Sequence, residues 1–155
     1  MTATLTVTSM EPRLDYYSAS PEAIKGLLMF EAHNYGLSIE QPLLELIKIR
    51  VSQLNQCAFC TDLHAVQARQ RGESERRLHA LSVWRDSGWF SPRERSALAW
   101  SESVTLLPDS VVPDELFQAA RAEFSERELV DLTVVVAAIN CWNRLAVAFR
   151  QQPSV

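Results

Sequence analysis

After Gly88 the chain contains no further glycine, yet its second half still has to turn several times. Glycine is the residue that most readily takes the positive φ of a tight hairpin, so a glycine-free half has few places to reverse a β-strand. Helices have no such requirement, and their start signals are present. Ser91-Pro-Arg-Glu94 and Ser125-Glu-Arg-Glu128 read as capping boxes, in which serine hydroxyl and glutamate carboxylate each satisfy the other residue's backbone N–H. Phe124 and Leu129 bracket the second box as a hydrophobic staple. Val134, Val135 and Val136 are the best strand candidate, because β-branched residues favour pleated surfaces. The upstream box and the length of the segment outweigh them. The predicted fold class is all-α, a bundle of six or so helices.

The same signals divide the chain. Residues 1–19, rich in Thr and Ser and interrupted by Pro12, read as an extended N-terminal arm, with Leu5–Thr8 a candidate short strand. Residues 20–155 read as a single helical domain. Ser20 before Pro21 marks a helix start that should run to about Asn34, with Gly36 just beyond. Ser38 to Pro42 opens a second helix, in which Leu43, Ile47, Val51 and Leu54 recur at helical spacing. Asn55 and Gln56 break it. A third helix begins at Cys57 or Ala58 and ends at Gly72, a C-cap glycine. Ser74 starts a fourth, with Leu78, Leu81 and Trp84 on one side, ending before Gly88. The helix from Ser91 reaches about Leu107; a short one spans Pro113–Glu123, and the last extends from Ser125 to about Arg150.

A net charge of −4 gives no electrostatic footprint for nucleic acid, so no nucleic-acid partner is expected. The longest apolar stretch, Leu129–Phe149, is broken by Asp131, Asn140, Asn143 and Arg144, which a lipid-facing helix would not readily accept. It reads as a buried or interface helix, and no membrane partner is expected. The first residues lack the basic and apolar regions of a secretion signal, so the expected location is cytoplasmic. Three cysteines in such a compartment point to chemistry or metal binding at a pair and to a packing role for the third, Cys141.

The pair is Cys57 and Cys60, three residues apart, with His64 four residues later; on a helix all three share one face. Residues at i and i+3 have Cα atoms roughly 5–6 Å apart, within disulfide range, so the pair could open and close with little backbone movement. A zinc site normally needs four ligands, and these residues supply three. Haem attachment needs His directly after the second cysteine, where Thr61 stands. A thioredoxin-type site needs βαβ units, which are absent from the pattern. The leading reading is a dithiol redox site, with no cofactor and no metal. A thiolate at a helix N-terminus is stabilised by the dipole and by free amides, and Cys60 can pass its proton to His64. One thiolate would attack the O–O bond of a hydroperoxide to give a sulfenic acid, the other would condense with it to a disulfide, and a thiol or protein electron donor would reset the pair. A non-enzymatic redox sensor or partner-binding protein of the same fold, whose cysteine pair merely reports oxidant, is the alternative. Glu45, on the polar side of the second helix, is usually a solvated position. If that helix and the next fold back on each other, Glu45 could orient His64 or accept a proton through water.

The chain from about Pro12 to Arg150 resembles the AhpD-like alkylhydroperoxidase branch of the carboxymuconolactone decarboxylase family. The resemblance is densest in Arg50-Val-Ser-Gln-Leu-Asn-Gln-Cys-Ala-Phe-Cys-Thr-Asp-Leu-His64, with further matches in Trp89–Arg95 and Ile139–Arg144. It implies an all-helical homo-oligomer, trimer or hexamer, whose peroxidase activity runs through a Cys-Cys-His-Glu relay. In this sequence the relay falls on Cys57, Cys60, His64 and Glu45, the glutamate standing twelve residues before the first cysteine. Well-studied members carry a second histidine just before the second cysteine, where this chain has Phe59. The family's decarboxylases lack the cysteine pair. Asn143 and Arg144 fit the family pattern and are expected to satisfy buried polar groups, while His33 and His79 read as surface or interface residues.

Overall fold

The computed structural model describes residues 10–109 and 111–153, and every described element is helical. Eight α-helices and one 3-10 segment occur among these residues, against the six or so expected. They are α1 (Tyr16–Ala19), α2 (Pro21–Asn34), α3 (Gln41–Leu54), α4 (Ala58–Gln70), α5 (Glu75–Ala80), α6 (Pro92–Thr105), α7 (Asp114–Glu123) and α8 (Glu126–Phe149), with the 3-10 turn Leu81–Asp86 between α5 and α6. The candidate strand at Leu5–Thr8 lies outside the described residues.

The strongest sequence signals act locally, and they place most boundaries. Both capping boxes are made: Ser91 accepts from the Glu94 amide and Ser125 from the Glu128 amide, and each glutamate accepts in return from its serine N–H. Phe124 and Leu129 are both buried, as a staple requires. Val135 and Val136 sit wholly buried inside α8. Gly72 adopts φ +93°, and the amides of Gly72 and Glu73 close back on the Arg69 and Ala68 carbonyls to end α4.

Three expectations need correction. Residues 16–19 are not extended: Asp15 caps a single turn by accepting from the Tyr17 amide, and Tyr16 is buried against Tyr17 and Phe149. Ser20 precedes α2 but makes no side-chain cap; Pro21 at the first turn carries that start alone. The helix expected from Ser74 to Gly88 breaks after Ala80, because Val83 is non-helical (φ −123°, ψ 31°) and the chain tightens into 3-10 geometry. That tightening keeps Leu81 and Trp84, three apart, on one buried side.

The core is organised around α3. It packs against α4, α6 and α8, and from Leu43 to Ile49 every side chain is buried, with Val51 and Ser52 beyond. The apolar residues supply the driving force, about 2 kcal/mol for each fully buried Leu or Ile. The two charged residues in this run, Glu45 and Lys48, have no exposed surface, so the polar side expected for this helix is not solvated. By length and composition α8 is the one described helix long and apolar enough to cross a membrane; here it packs against α2, α3, α4, α6 and α7. Trp84 and Trp100 are buried, whereas Trp89 is exposed beneath the Arg76 guanidinium.

Candidate active site

Two elements of the core meet where the chain reverses between α3 and α4. Gln56 takes a left-handed conformation (φ 54°) to make the turn, and the Cys57 amide donates to the Ser52 carbonyl at 2.9 Å. Cys57 is thereby set as the N-cap of α4, with Cys60 in its first turn. The Cys57 sulfur accepts from the Cys60 amide at 3.4 Å, a cap made by sulfur in place of the usual oxygen. Both thiols are free and buried.

Their acidities diverge. The Cys60 thiol donates to the Cys57 sulfur, and this, with the backbone amides of Cys60 and Phe59 and the Asn143 side chain, outweighs burial and lowers the Cys57 pKa from 9.0 to about 7. Cys60 moves up for the complementary reasons: its hydrogen is committed to Cys57, it is buried, and it faces the developing Cys57 charge. Near neutral pH the pair therefore shares one proton, and the resting negative charge sits on Cys57.

Glu45 and His64 come together across the α3–α4 seam. His64 Nδ1 lies 2.9 Å from Glu45 Oε2, with the carboxylate completely buried. A carboxylate at that position accepts from Nδ1–H and so leaves the Nε2 lone pair as the basic site of the ring. Arg71, just past the end of α4, places Nε 3.4 Å from Glu45 Oε1, an ion-pair distance without hydrogen-bond geometry.

A polar cluster from α8 closes the back of the cysteine turn. Asn143 donates to Ser52 at 2.9 Å and accepts from Asn55 at 2.9 Å, and its side chain also reaches both cysteines. Asn55 bonds Asn140 as well. Asn143 does satisfy buried groups, as expected, but it also touches the thiol pair, which sequence reasoning missed. Arg144 is exposed and donates to Asn140, one turn earlier on its own helix.

In front of the pair lies a cleft of about 160 Å³ lined by both Cys60 and His64. Its walls are mainly aromatic, from Tyr16, Tyr17, Phe59 and Trp142, with Leu28 and Leu63 at the side. Glu31, Tyr35 and Gln67 supply the polar part. Cys57 instead borders a separate open groove with Ser52, Gln53, Gln56, Thr61 and Arg69. The four residues picked from sequence thus assemble on one seam, although only Cys60 and His64 face the cleft.

Sequence reasoning missed the arm tyrosines and a buried ion pair. Lys48 Nζ binds Glu31 and lies 3.1 Å from the Tyr35 hydroxyl, over whose ring it also sits at 4.2 Å. Burial pulls its pKa down, but the Glu31 charge and hydrogen bond, helped by Tyr35, raise it overall. The available signal was Lys48 within a run otherwise of Leu and Ile, interrupted only by Glu45 one turn earlier. Cys141, expected to have a packing role, is exposed. His33 and His79 are exposed too. Among the described residues no group of three His, Cys, Asp or Glu is arranged to hold a metal ion.

Comparison with known proteins locates the chain. The carboxymuconolactone decarboxylase family model matches residues 19–103. The uncharacterized protein YdfG of Bacillus subtilis is 43% identical over 139 residues, covering 90% of this chain and 95% of its own length. The crystal structure of ATU0492 from Agrobacterium tumefaciens, a protein of unknown function proposed to be the antioxidant defence protein AhpD, superposes with a TM-score of 0.92 at 41% identity. It covers 94% of this chain and 99% of that one. The debrominase Bmp8 shares the fold alone, with a TM-score of 0.80 at 18% identity over 89% of this chain and 74% of its own.

Proposed function

Taking as premise that this chain belongs to the AhpD-like branch of the carboxymuconolactone decarboxylase family, we propose that it is a thiol-dependent hydroperoxide reductase working through Cys57 and Cys60. The observation that carries the reading is the cleft lined by both Cys60 and His64, the imidazole backed by Glu45 at 2.9 Å. His64 Nε2 takes one of the two thiol protons, with Glu45 stabilising the imidazolium. The second proton is shared between the sulfurs and passes to Cys57 as Cys60 attacks. The Cys60 thiolate forms a bond to the distal oxygen of the hydroperoxide; the O–O bond breaks, the sulfur is oxidised to a sulfenic acid and the alkoxide leaves. His64 returns its proton to that alkoxide, giving the alcohol. The Cys57 sulfur then displaces hydroxide from Cys60, its own proton completes a water molecule, and a disulfide remains. Protons balance without a histidine at Phe59.

An external dithiol or thiol protein must then reduce the disulfide, and Cys57, bordering the open groove, is the sulfur it would attack. The protein would operate in a reducing compartment such as the cytoplasm, as a homo-oligomer, trimer or hexamer, covering exposed apolar side chains such as Leu28 and Met29 of α2. The test is organic-hydroperoxide consumption by purified protein with an artificial dithiol, wild type beside Cys60→Ser. Repeated turnover that vanishes in the variant supports the enzyme. A single stoichiometric oxidation of the wild type rejects it in favour of a sensor.

A further inference from the structure

The arm tyrosines take no part in the chemistry above, yet with Phe59 and Trp142 they supply aromatic rings to the cleft that Cys60 and His64 line. Those rings are held in place before any ligand arrives. The Arg13 amide donates to the Phe149 carbonyl and its guanidinium to the Ala148 carbonyl, both at 2.9 Å, which ties the arm to the end of α8. Tyr16 then packs on Phe149, with ring centroids 5.9 Å apart, and on Tyr17 at 4.8 Å. Tyr17 lies 6.5 Å from Trp142, and the two planes differ by 20°. Phe59, in the first turn of α4, directly precedes Cys60. Little binding energy is therefore needed to order this wall around a ligand.

Size and polarity narrow the occupant. A closed apolar cavity of about 150 Å³ holds one benzene, and this cleft offers about 160 Å³. One six-membered ring takes up most of that space, so a group that reacts with Cys60 has to stand on the carbon next to the ring. Tyr17, Leu28 and Leu63 keep exposed surface along the cleft, which gives such a ring apolar area to cover. The nearby ammonium of Lys48 is already engaged by Glu31 and the Tyr35 hydroxyl. An aromatic ligand adds offset or edge-to-face contacts, at centroid separations of about 4.5–7 Å, beyond the area it buries; a saturated one has only the area.

We infer that the arm, Phe59 and Trp142 form a subsite for a single aromatic ring, and that this cleft takes small arylalkyl ligands with the polar group one carbon from the ring. Resting on the peroxidase reading, the substrate class becomes benzylic hydroperoxides, reduced to the benzylic alcohols by the steps already written. Tyr17 and Trp142 are specificity residues and exchange no proton.

Redox-inert probes test the subsite apart from turnover. Benzyl alcohol and cyclohexylmethanol, which differ only in the saturation of the ring, are titrated calorimetrically at pH 7 into wild type, Tyr17→Leu and Trp142→Leu. Tyr17 is 42% exposed, so Tyr17→Leu carries the test if the Trp142 variant fails to fold. Each leucine keeps an apolar wall and removes one ring. The saturated probe is the more hydrophobic, so transfer from water alone favours it and a preference for benzyl alcohol reports the ring contacts. Wild type should bind benzyl alcohol at least about threefold more tightly, and that ratio should fall at least about twofold in each variant that folds. Equal or weaker binding of benzyl alcohol by wild type, no binding of it, or a ratio unchanged in the folded variants overturns the inference. Turnover of benzyl hydroperoxide, measured in parallel, separates the two ideas. The expected ratio without turnover defeats the peroxidase and leaves the subsite standing; turnover with equal probe binding does the reverse.

Discussion

Two buried glutamates, Glu102 in α6 and Glu45 in α3, flank the same core and have opposite surroundings. Glu102 is saturated: it accepts from Arg50 Nε at 2.7 Å and Trp84 Nε1 at 2.8 Å, and Arg85 lies 2.5 Å from its other oxygen. Burial raises its pKa, but these donors outweigh burial and hold the carboxyl below its usual range. Glu45 is more deeply buried and less well served, with the His64 ring on one oxygen and no hydrogen bond on the other. A saturated carboxylate is fixed in charge and position, which suits a clamp between α3, the 3-10 turn and α6. One whose main partner can gain or lose a proton is suited to chemistry.

The comparison breaks most sharply under truncation. Glu102→Ala should strand Arg50, only 14% exposed, beside the freed Trp84 N–H. Removing one partner of a buried pair costs about 3–5 kcal/mol, so chemical denaturation should show the midpoint falling with no change in slope. Peroxidase activity per folded molecule should hold. A loss below about 1 kcal/mol would show that Glu102 is no clamp.

Glu45→Gln should give the reverse pattern. The side chain keeps its shape, and Arg71, 40% exposed, can turn to water, so the stability cost should stay below about 1 kcal/mol. His64 would lose the charge that stabilises its protonated form, and general acid–base help of this kind is worth about 10²-fold or more. Turnover of hydroperoxide should fall by that factor while the melting temperature hardly moves. Parallel losses in activity and stability would place Glu45 with Glu102 as a structural group.

This contrast bears on what the sequence could reveal. Caps, the Pro21 start and Gly72 are legible because each acts within about four residues of itself. Cys57, Cys60 and His64 are legible because one helix turn relates them. Glu45 entered through its twelve-residue spacing to Cys57 in a resembling family, since its own pattern reads as a solvated side. That side vanishes because α4, α6 and α8 surround α3, and no local signal encodes three distant partners. Lys48 and Glu31 were invisible for the same reason, being seventeen residues apart on different helices. Tyr16 was lost inside an arm whose Thr and Ser content reads as extended. The break at Val83 escaped because Leu78, Leu81 and Trp84 fit α and 3-10 spacing almost equally well.

The smallest effect concerns how the active seam tunes its thiol. Cys57 is held near pKa 7, so its alkylation by iodoacetamide should rise through that pH and level off above it. At pH 6 the rate should be about a tenth of the plateau, since protonation removes the nucleophile. Cys141 is exposed and must be replaced by serine so that the profile belongs to the buried pair, with modified peptides resolving Cys57 from Cys60. Asn143 contributes one of the donors that favour the thiolate, but the Cys60 thiol contributes more. Asn143→Ala should therefore shift the midpoint upward by no more than about one unit, equivalent to about 1.4 kcal/mol, and Cys60→Ala should shift it further. An Asn143→Ala profile that overlays the wild type would confine Asn143 to its contacts with Ser52 and Asn55. A wild-type midpoint near 8.5 would show that the resting charge of the pair does not sit on Cys57.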